Sequence, residues 1–178
     1  GQQHNSEAIR YGSTCDQLVD GFLDYAERYY QKNGELTGEY RCYQAALKYV
    51  HKMYGDTLAV DFGPAKLIAI RSAMITGEHS QQPLSRKYIN KNLIRIRGVF
   101  RWATEKELTP AHVWQTLKAV QPLRIGRSDA VDHDPVLPVP QADLDATLVV
   151  LRERRPEVAD MVLLQLSAGM RPGEVCRI

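Results

Sequence analysis

Two features of this sequence carry residue types that can do chemistry on phosphate. The first is Arg171, set in the run Gly169-Met170-Arg171-Pro172-Gly173-Glu174 after the apolar stretch that ends at Ala168. The glycine fixes a turn, and Pro172 with Glu174 reads as a new helix start. The arginine therefore projects from the beginning of a helix. A guanidinium so placed can grip two phosphate oxygens at once. The second feature is a basic stretch. No Asp or Glu occurs between Glu78 and Glu105, and the interval holds Arg86, Lys87, Lys91, Arg95, Arg97 and Arg101. Lysines and arginines on one helix neutralise backbone phosphates and release their condensed counterions.

These residues need helices to hold them. Ile89, Leu93, Ile96, Phe100 and Ala103 recur at helical spacing after a candidate cap at Ser85, which predicts a long helix. At about 100° per residue, Lys87, Lys91 and Arg101 fall opposite that apolar stripe, with Arg95 and Asn90 on its flanks. Asn90 is a candidate base reader, because an Asn amide pairs bidentately with adenine. A second helix starts near Thr37 or Gly38, carries Tyr40, Tyr43, Leu47, Val50 and Tyr54 on one stripe, and stops at Gly55. Arg41, Lys48 and Lys52 cluster on its other side. Two more helices complete the set. One opens with the capping-box pattern Thr14-Cys15-Asp16-Gln17 and carries Leu18, Phe22, Tyr25 and Tyr29. The other opens at Gly63-Pro64, points Leu67, Ile70 and Met74 inward and ends at Gly77. A short helix with Val113, Trp114 and Leu117 follows Thr109-Pro110. Gln141–Leu151 and Pro156–Ala168 read as two further helices, and no segment reads as a strand.

Pro135, Pro138 and Pro140 cannot sit inside a helix, so residues 119–140 are expected as an extended linker. The expected organisation is a disordered lead-in over 1–13, a helical DNA-binding domain over 14–118, the linker, and a separate segment over 141–178. The 178 residues, 44% hydrophobic and 25% charged, suit one soluble domain plus a fragment of another. The net charge of +2 says little; its distribution says more. Cys15, Cys42 and Cys176 have no disulfide or metal spacing, which fits free thiols in a reducing cytoplasm. The five histidines form no metal or triad pattern. Nothing is long and apolar enough to span a bilayer.

Gly169, Arg171 and Glu174 match the first catalytic box of the tyrosine recombinase or phage integrase family, which this chain resembles. The resemblance extends back over most of 14–178. "NKNLIRIRGVFRWATEKEL", from Asn90 to Leu108, is similar to the last long helix of the family's core-binding domain, with its Phe100-to-Ala103 ending. "VLPVPQADLDATLVVL" is similar to the linker and first catalytic-domain helix. Pro110-Ala111-His112 departs from the Asn-Pro pair many members carry. The resemblance implies an all-α, four- to five-helix SAM-like core-binding domain, a Pro-rich linker, and the first helices of a truncated catalytic domain. Arg171 would hold the scissile phosphate and stabilise the charge of the transition state, and Glu174 would buttress the turn.

The same resemblance implies double-stranded DNA and other recombinase protomers as partners, no metal or small-molecule cofactor, and a cytoplasmic, nucleoid-associated location. The intact protein would cut and rejoin DNA through a phosphotyrosyl intermediate, as in site-specific DNA integration. The basic hairpin residue, the His-x-x-Arg box and the tyrosine nucleophile would lie beyond Ile178. The nine tyrosines all precede the linker, and Tyr25, Tyr29, Tyr40 and Tyr43 are packing candidates. The expectation for residues 1–178 is therefore DNA binding without catalysis. The alternative is a stand-alone helical DNA-binding or protein-interaction module.

Overall fold

Thr14 opens the first helix in the way its sequence predicts. In the computed structural model, which describes residues 12–177, the Thr14 hydroxyl accepts the Gln17 N–H at 3.3 Å. The Gln17 side chain in turn accepts the Thr14 N–H at 3.0 Å. This reciprocal cap satisfies two of the backbone donors that every helix start leaves free. It begins α1 (Cys15–Tyr29), which buries Leu18, Val19, Phe22 and Ala26. The stripe stops short of Tyr29, which is 64% exposed and stacks on Tyr25 at 5.2 Å. Most of the lead-in expected over 1–13 lies outside the described residues. Ser13 is inside them, and its carbonyl accepts the Ala59 N–H at 2.9 Å.

A hairpin follows where no strand is expected. β1 (Gln31–Lys32) pairs antiparallel with β2 (Glu35–Leu36). The turn residues Asn33 and Gly34 have φ of 56° and 80°, the positive values that a two-residue hairpin turn demands. Helix α2 (Gly38–Tyr54) then buries Ala46, Leu47, Tyr49 and Val50. Gly55 ends it without entering the left-handed region. A single 3-10 turn, Ala59–Asp61, leads to α3 (Pro64–Thr76), whose Leu67, Ile70 and Met74 are buried as expected. Gly77 closes α3 at φ 82°. A Cβ there would lie 2.8 Å from the Pro83 backbone nitrogen, so conformation and space both require glycine.

Helix α4 (Arg86–Glu105) buries Ile89, Leu93, Ile96, Val99, Phe100 and Ala103. Ser85 stands at its cap position but makes no side-chain cap bond. Phe100 stacks on Phe62 with ring centroids 4.5 Å apart, at the centre of a core shared by α1 to α4 and α5 (Ala111–Leu117). The described part of this unit is all-α apart from the hairpin, and the unit runs to His133.

The expected linker is shorter at its start than 119–140. Residues 119–133 form a strap on the helical unit, with Val120 and Ala130 buried. The Val131 carbonyl accepts the Arg86 N–H at 2.8 Å, and the Gln121 carbonyl accepts from the Arg71 guanidinium at 2.9 Å. Residues 134–140 carry no helix or strand, and Val136, Leu137 and Val139 are exposed.

The second unit begins at Asp134. It contains α6 (Gln141–Arg154), α7 (Pro156–Ala168) and α8 (Pro172–Val175). α6 runs three residues past the expected Leu151, and α7 has the expected bounds. Among the described residues of this unit only Ala159 and Val175 are buried.

Candidate nucleic-acid interface

The rotation of α4 is set by its core face. Ile89 and Ile96 are 0% exposed, so the residues half a turn away must face out. Lys87, Lys91 and Arg101 are exposed, and Ile94, between them on the same face, is 60% exposed. On α2, buried Leu47 and Val50 have the same effect. Arg41, Lys48 and Lys52, spaced i, i+7 and i+11, line up on the exposed side.

The basic residues divide into two groups. Arg95 is an internal tie. Its side chain is 11% exposed, and it donates from Nε and Nη2 to both carboxylate oxygens of Glu39, at 2.8 and 3.0 Å. The hydrogen bonds from Arg95 are the main cause that holds the Glu39 carboxyl below its ordinary range, against the opposing effect of burial. Arg86 donates from Nε to both oxygens of Asp132, at 2.8 and 2.9 Å. Arg101 meets Glu105 at 3.3 Å, but both side chains are 62% exposed, and such a pair binds weakly in water. Arg41, Lys48, Lys52, Lys87, Lys91 and Arg97 have no ion pair or side-chain hydrogen bond among the described residues.

Asn90 does not stand free to read a base. Its Nδ2 donates to the Leu123 carbonyl at 3.0 Å, and its Oδ1 accepts the Leu123 N–H at 2.8 Å. Both ends of the amide are taken, so Asn90 is an anchor of the strap. Asn90 and Arg86 thus hold residues 119–133, and Arg95 joins α4 to α2. These three leave the set of free contacts.

The structure also adds residues that the sequence reading missed. A cleft of about 310 Å³ opens along α4 between Ile94, Arg97 and Arg101 on that helix and Tyr43, Trp114 and Lys118 beside it. The Lys118 ammonium sits 3.6 Å from the centroid of the Trp114 ring, a cation–π contact. The signal for it was present in the spacing, since Trp114 and Lys118 are four apart.

Burial is the first cause that pushes the Cys15 thiol up to about 12. Burial, then the hydrogen bond with Tyr43, raises Tyr30 above the ordinary phenol value. Among the described residues no cluster of His, Cys, Asp and Glu could hold a metal, and no helix is long and apolar enough to cross a membrane.

Arg171 lies in the second unit. α7 ends at Gly169 with φ 64°, and Arg171 takes the cap position of α8. Its backbone N–H donates to the Glu174 carboxylate at 2.8 Å. Glu174 therefore ties the turn to the new helix, while the Arg171 guanidinium has no partner among the described residues. Comparison with protein-family models, with curated proteins and with solved structures found no match.

Proposed function

We propose that the helical unit up to His133 binds double-stranded DNA with the outer faces of α2 and α4. We propose further that the chain is the SAM-like core-binding domain and first catalytic-domain helices of a tyrosine recombinase. The observation that carries the DNA reading is the division of the basic residues. Arg86 and Arg95 are consumed by internal carboxylates, yet Arg41, Lys48, Lys52, Lys87, Lys91 and Arg97, on two adjoining helices, make no ion pair or side-chain hydrogen bond among the described residues. Surface cations are normally interspersed with acids, and this face of α4 has none before Glu105. Arg97, Arg101 and Lys118 add their charges around the cleft beside that row.

The recombinase reading adds a role for Arg171. Its partnerless guanidinium and its Glu174-tied backbone suit a phosphate grip that is positioned by its turn. In such an enzyme the nucleophilic tyrosine would come from sequence outside residues 1–178. A suicide DNA substrate should therefore give no covalent adduct with this chain, and an adduct would overturn that assignment. A native reading frame that continues into His-x-x-Arg and a tyrosine would support it.

The DNA reading is tested by fluorescence anisotropy on a short duplex across a salt series. With about six phosphates contacted, log K should fall against log[salt] with a slope of roughly −5, at ~0.9 per phosphate. Reversing the charge of Lys87, Lys91 and Arg101 should weaken binding and flatten that slope. Changing Asp20 and Asp24 to Asn should do neither. A flat slope, or no binding at low salt, sinks the proposal in favour of a helical protein-interaction module.

A further inference from the structure

Where α1 meets the end of α4, three aromatic rings form a row. The Trp102 and Tyr25 rings lie 5.8 Å apart and 31° from parallel, and Tyr25 stacks on Tyr29 at 5.2 Å and 22°. Phe22 meets Trp102 edge-on and seats the inner end of the row in the core. The outer end is open, since Tyr29 is exposed. A groove of about 290 Å³ runs beside Tyr25 and Trp102. Gly21 lines it too, and a Cβ there would stand 3.6 Å from the Trp102 ring, so a longer side chain would fill the groove. Arg28 and Lys106 line it and are exposed. Neither has a carboxylate partner among the described residues: Arg28 donates to the Asp24 carbonyl at 3.2 Å, and Lys106 makes no side-chain bond. The one acid in the lining is Asp24.

The same chain carries a segment of the kind such a groove takes. In Asp134-Pro135-Val136-Leu137-Pro138-Val139-Pro140 every residue except Val136 is a proline or precedes one. A proline has its φ fixed near about −65°, and the residue before it is driven out of the helical region. Both effects favour polyproline II, and Pro140, with φ −57° and ψ 143°, lies close to that conformation. Val136, Leu137 and Val139 are 100%, 76% and 69% exposed. Polyproline II segments dock into aromatic-lined grooves because little backbone order remains to be imposed on binding. The charges agree as well. Asp134 heads the segment without an ion pair among the described residues, and Asp143 follows it, opposite in sign to Arg28 and Lys106.

We propose that residues 134–140 of one copy of this chain dock into the Tyr25–Trp102 groove of a second copy. Pro135 and Pro138 share one ridge of a helix with three residues per turn and lie against the rings. Asp134 meets the cations of the groove. Each copy offers one groove and one segment, so the contact is head-to-tail. None of these residues is among the cations proposed to hold DNA, and the contact needs no DNA.

The test is analytical ultracentrifugation of the full chain without DNA. The average mass should rise with protein concentration. Two variants change exposed positions only: one combines Pro135→Ala with Pro138→Ala, the other Arg28→Glu with Lys106→Glu. Each alone should abolish the rise. Mixing them should restore association, because the first keeps its groove and the second keeps its segment. A synthetic peptide of residues 132–143 should give saturable amide NMR shifts at Gly21, Tyr25 and Trp102 of the labelled chain. Replacing both of its prolines by alanine should weaken its dissociation constant about tenfold or more. Equal binding of the two peptides would overturn the polyproline reading. Association that survives both variants, or a mixture that fails to associate, would place the contact on another surface and overturn it. A chain that stays monomeric at every concentration would overturn the contact between copies; if it then bound the peptide only after its own prolines were replaced, the groove would be filled by its own segment.

Discussion

The two units of this chain hold their candidate phosphate contacts by different means. In the helical unit the core comes first. Phe62, Phe100, Leu67, Ile70, Ile89 and Ile96 are essentially removed from water, and their packing fixes how α2 and α4 are turned. Lys87 faces out because Ile89 and Ile96 face in. In the second unit only Ala159 and Val175 are buried among the described residues, while Val149, Val150, Leu164 and Leu166 stay exposed. Arg171 is placed there by a local device, the Gly169 turn and the Glu174 cap. A surface built on a core should lose its geometry when the core is cut, and one built on a cap should be indifferent to distant apolar residues.

The largest expected effect breaks the first half of this contrast. Phe100→Ala should cost about 3–5 kcal/mol in denaturant unfolding followed by far-UV circular dichroism, the usual range for a buried Phe. Leu166→Ala should stay within about 0.5 kcal/mol, as for an exposed site. Similar losses for the two would show that the second unit has a core as demanding as the first.

A smaller effect should come from the strap. Asn90→Ala leaves the Leu123 N–H and C=O without their partners, at a cost of about 1–3 kcal/mol where such groups stay buried. Faster hydrogen exchange should be confined to residues 119–132. If that segment exchanges as before while duplex sequence preference changes, Asn90 is a base reader after all and the strap is held by other contacts.

The smallest effect separates an internal tie from a free cation. The Glu39 carboxyl has its folded pKa depressed below the ordinary 4.5 by Arg95. A depressed carboxylate contributes stability above its unfolded pKa and loses it as pH falls through the folded value. Glu39→Gln should therefore be less stable than the parent at neutral pH, and the gap should close on acidification below about pH 4. Because the Glu39 side chain is 41% exposed, solvent screening keeps the gap small. A gap independent of pH would mean that the pair acts through packing alone.

The sequence made the helices legible because their signals are local. The Thr14–Gln17 box, Pro156 at the head of α7 and the i, i+4, i+7 stripe of α4 each sit within a few turns of what they determine. The hairpin was missed because Gln31, Lys32, Glu35 and Leu36 show no alternation of apolar and polar residues, although Asn33-Gly34 is a dipeptide suited to a two-residue hairpin turn. The strap was missed because its anchors are long-range. Asn90 reaches Leu123, 33 positions away, and Arg86 reaches Asp132, 46 positions away. Arg95 finds Glu39 across 56 positions, which no helical wheel reveals. The outer face of α4 was legible in Lys87, Lys91 and Arg101. Which of its neighbouring cations were already engaged could be learned only from tertiary structure.

The strap has a mechanical consequence. A pull applied to the chain beyond His133 does not act first on a loose tail. It reaches Asp132 and Val131, which hand it to Arg86, and then Leu123, which hands it to Asn90. The force path therefore enters the first turns of α4, where Lys87 and Lys91 also stand. One helix serves as mooring post and carries the proposed contact face, so tension on the following sequence would be felt first beside Lys87 and Lys91.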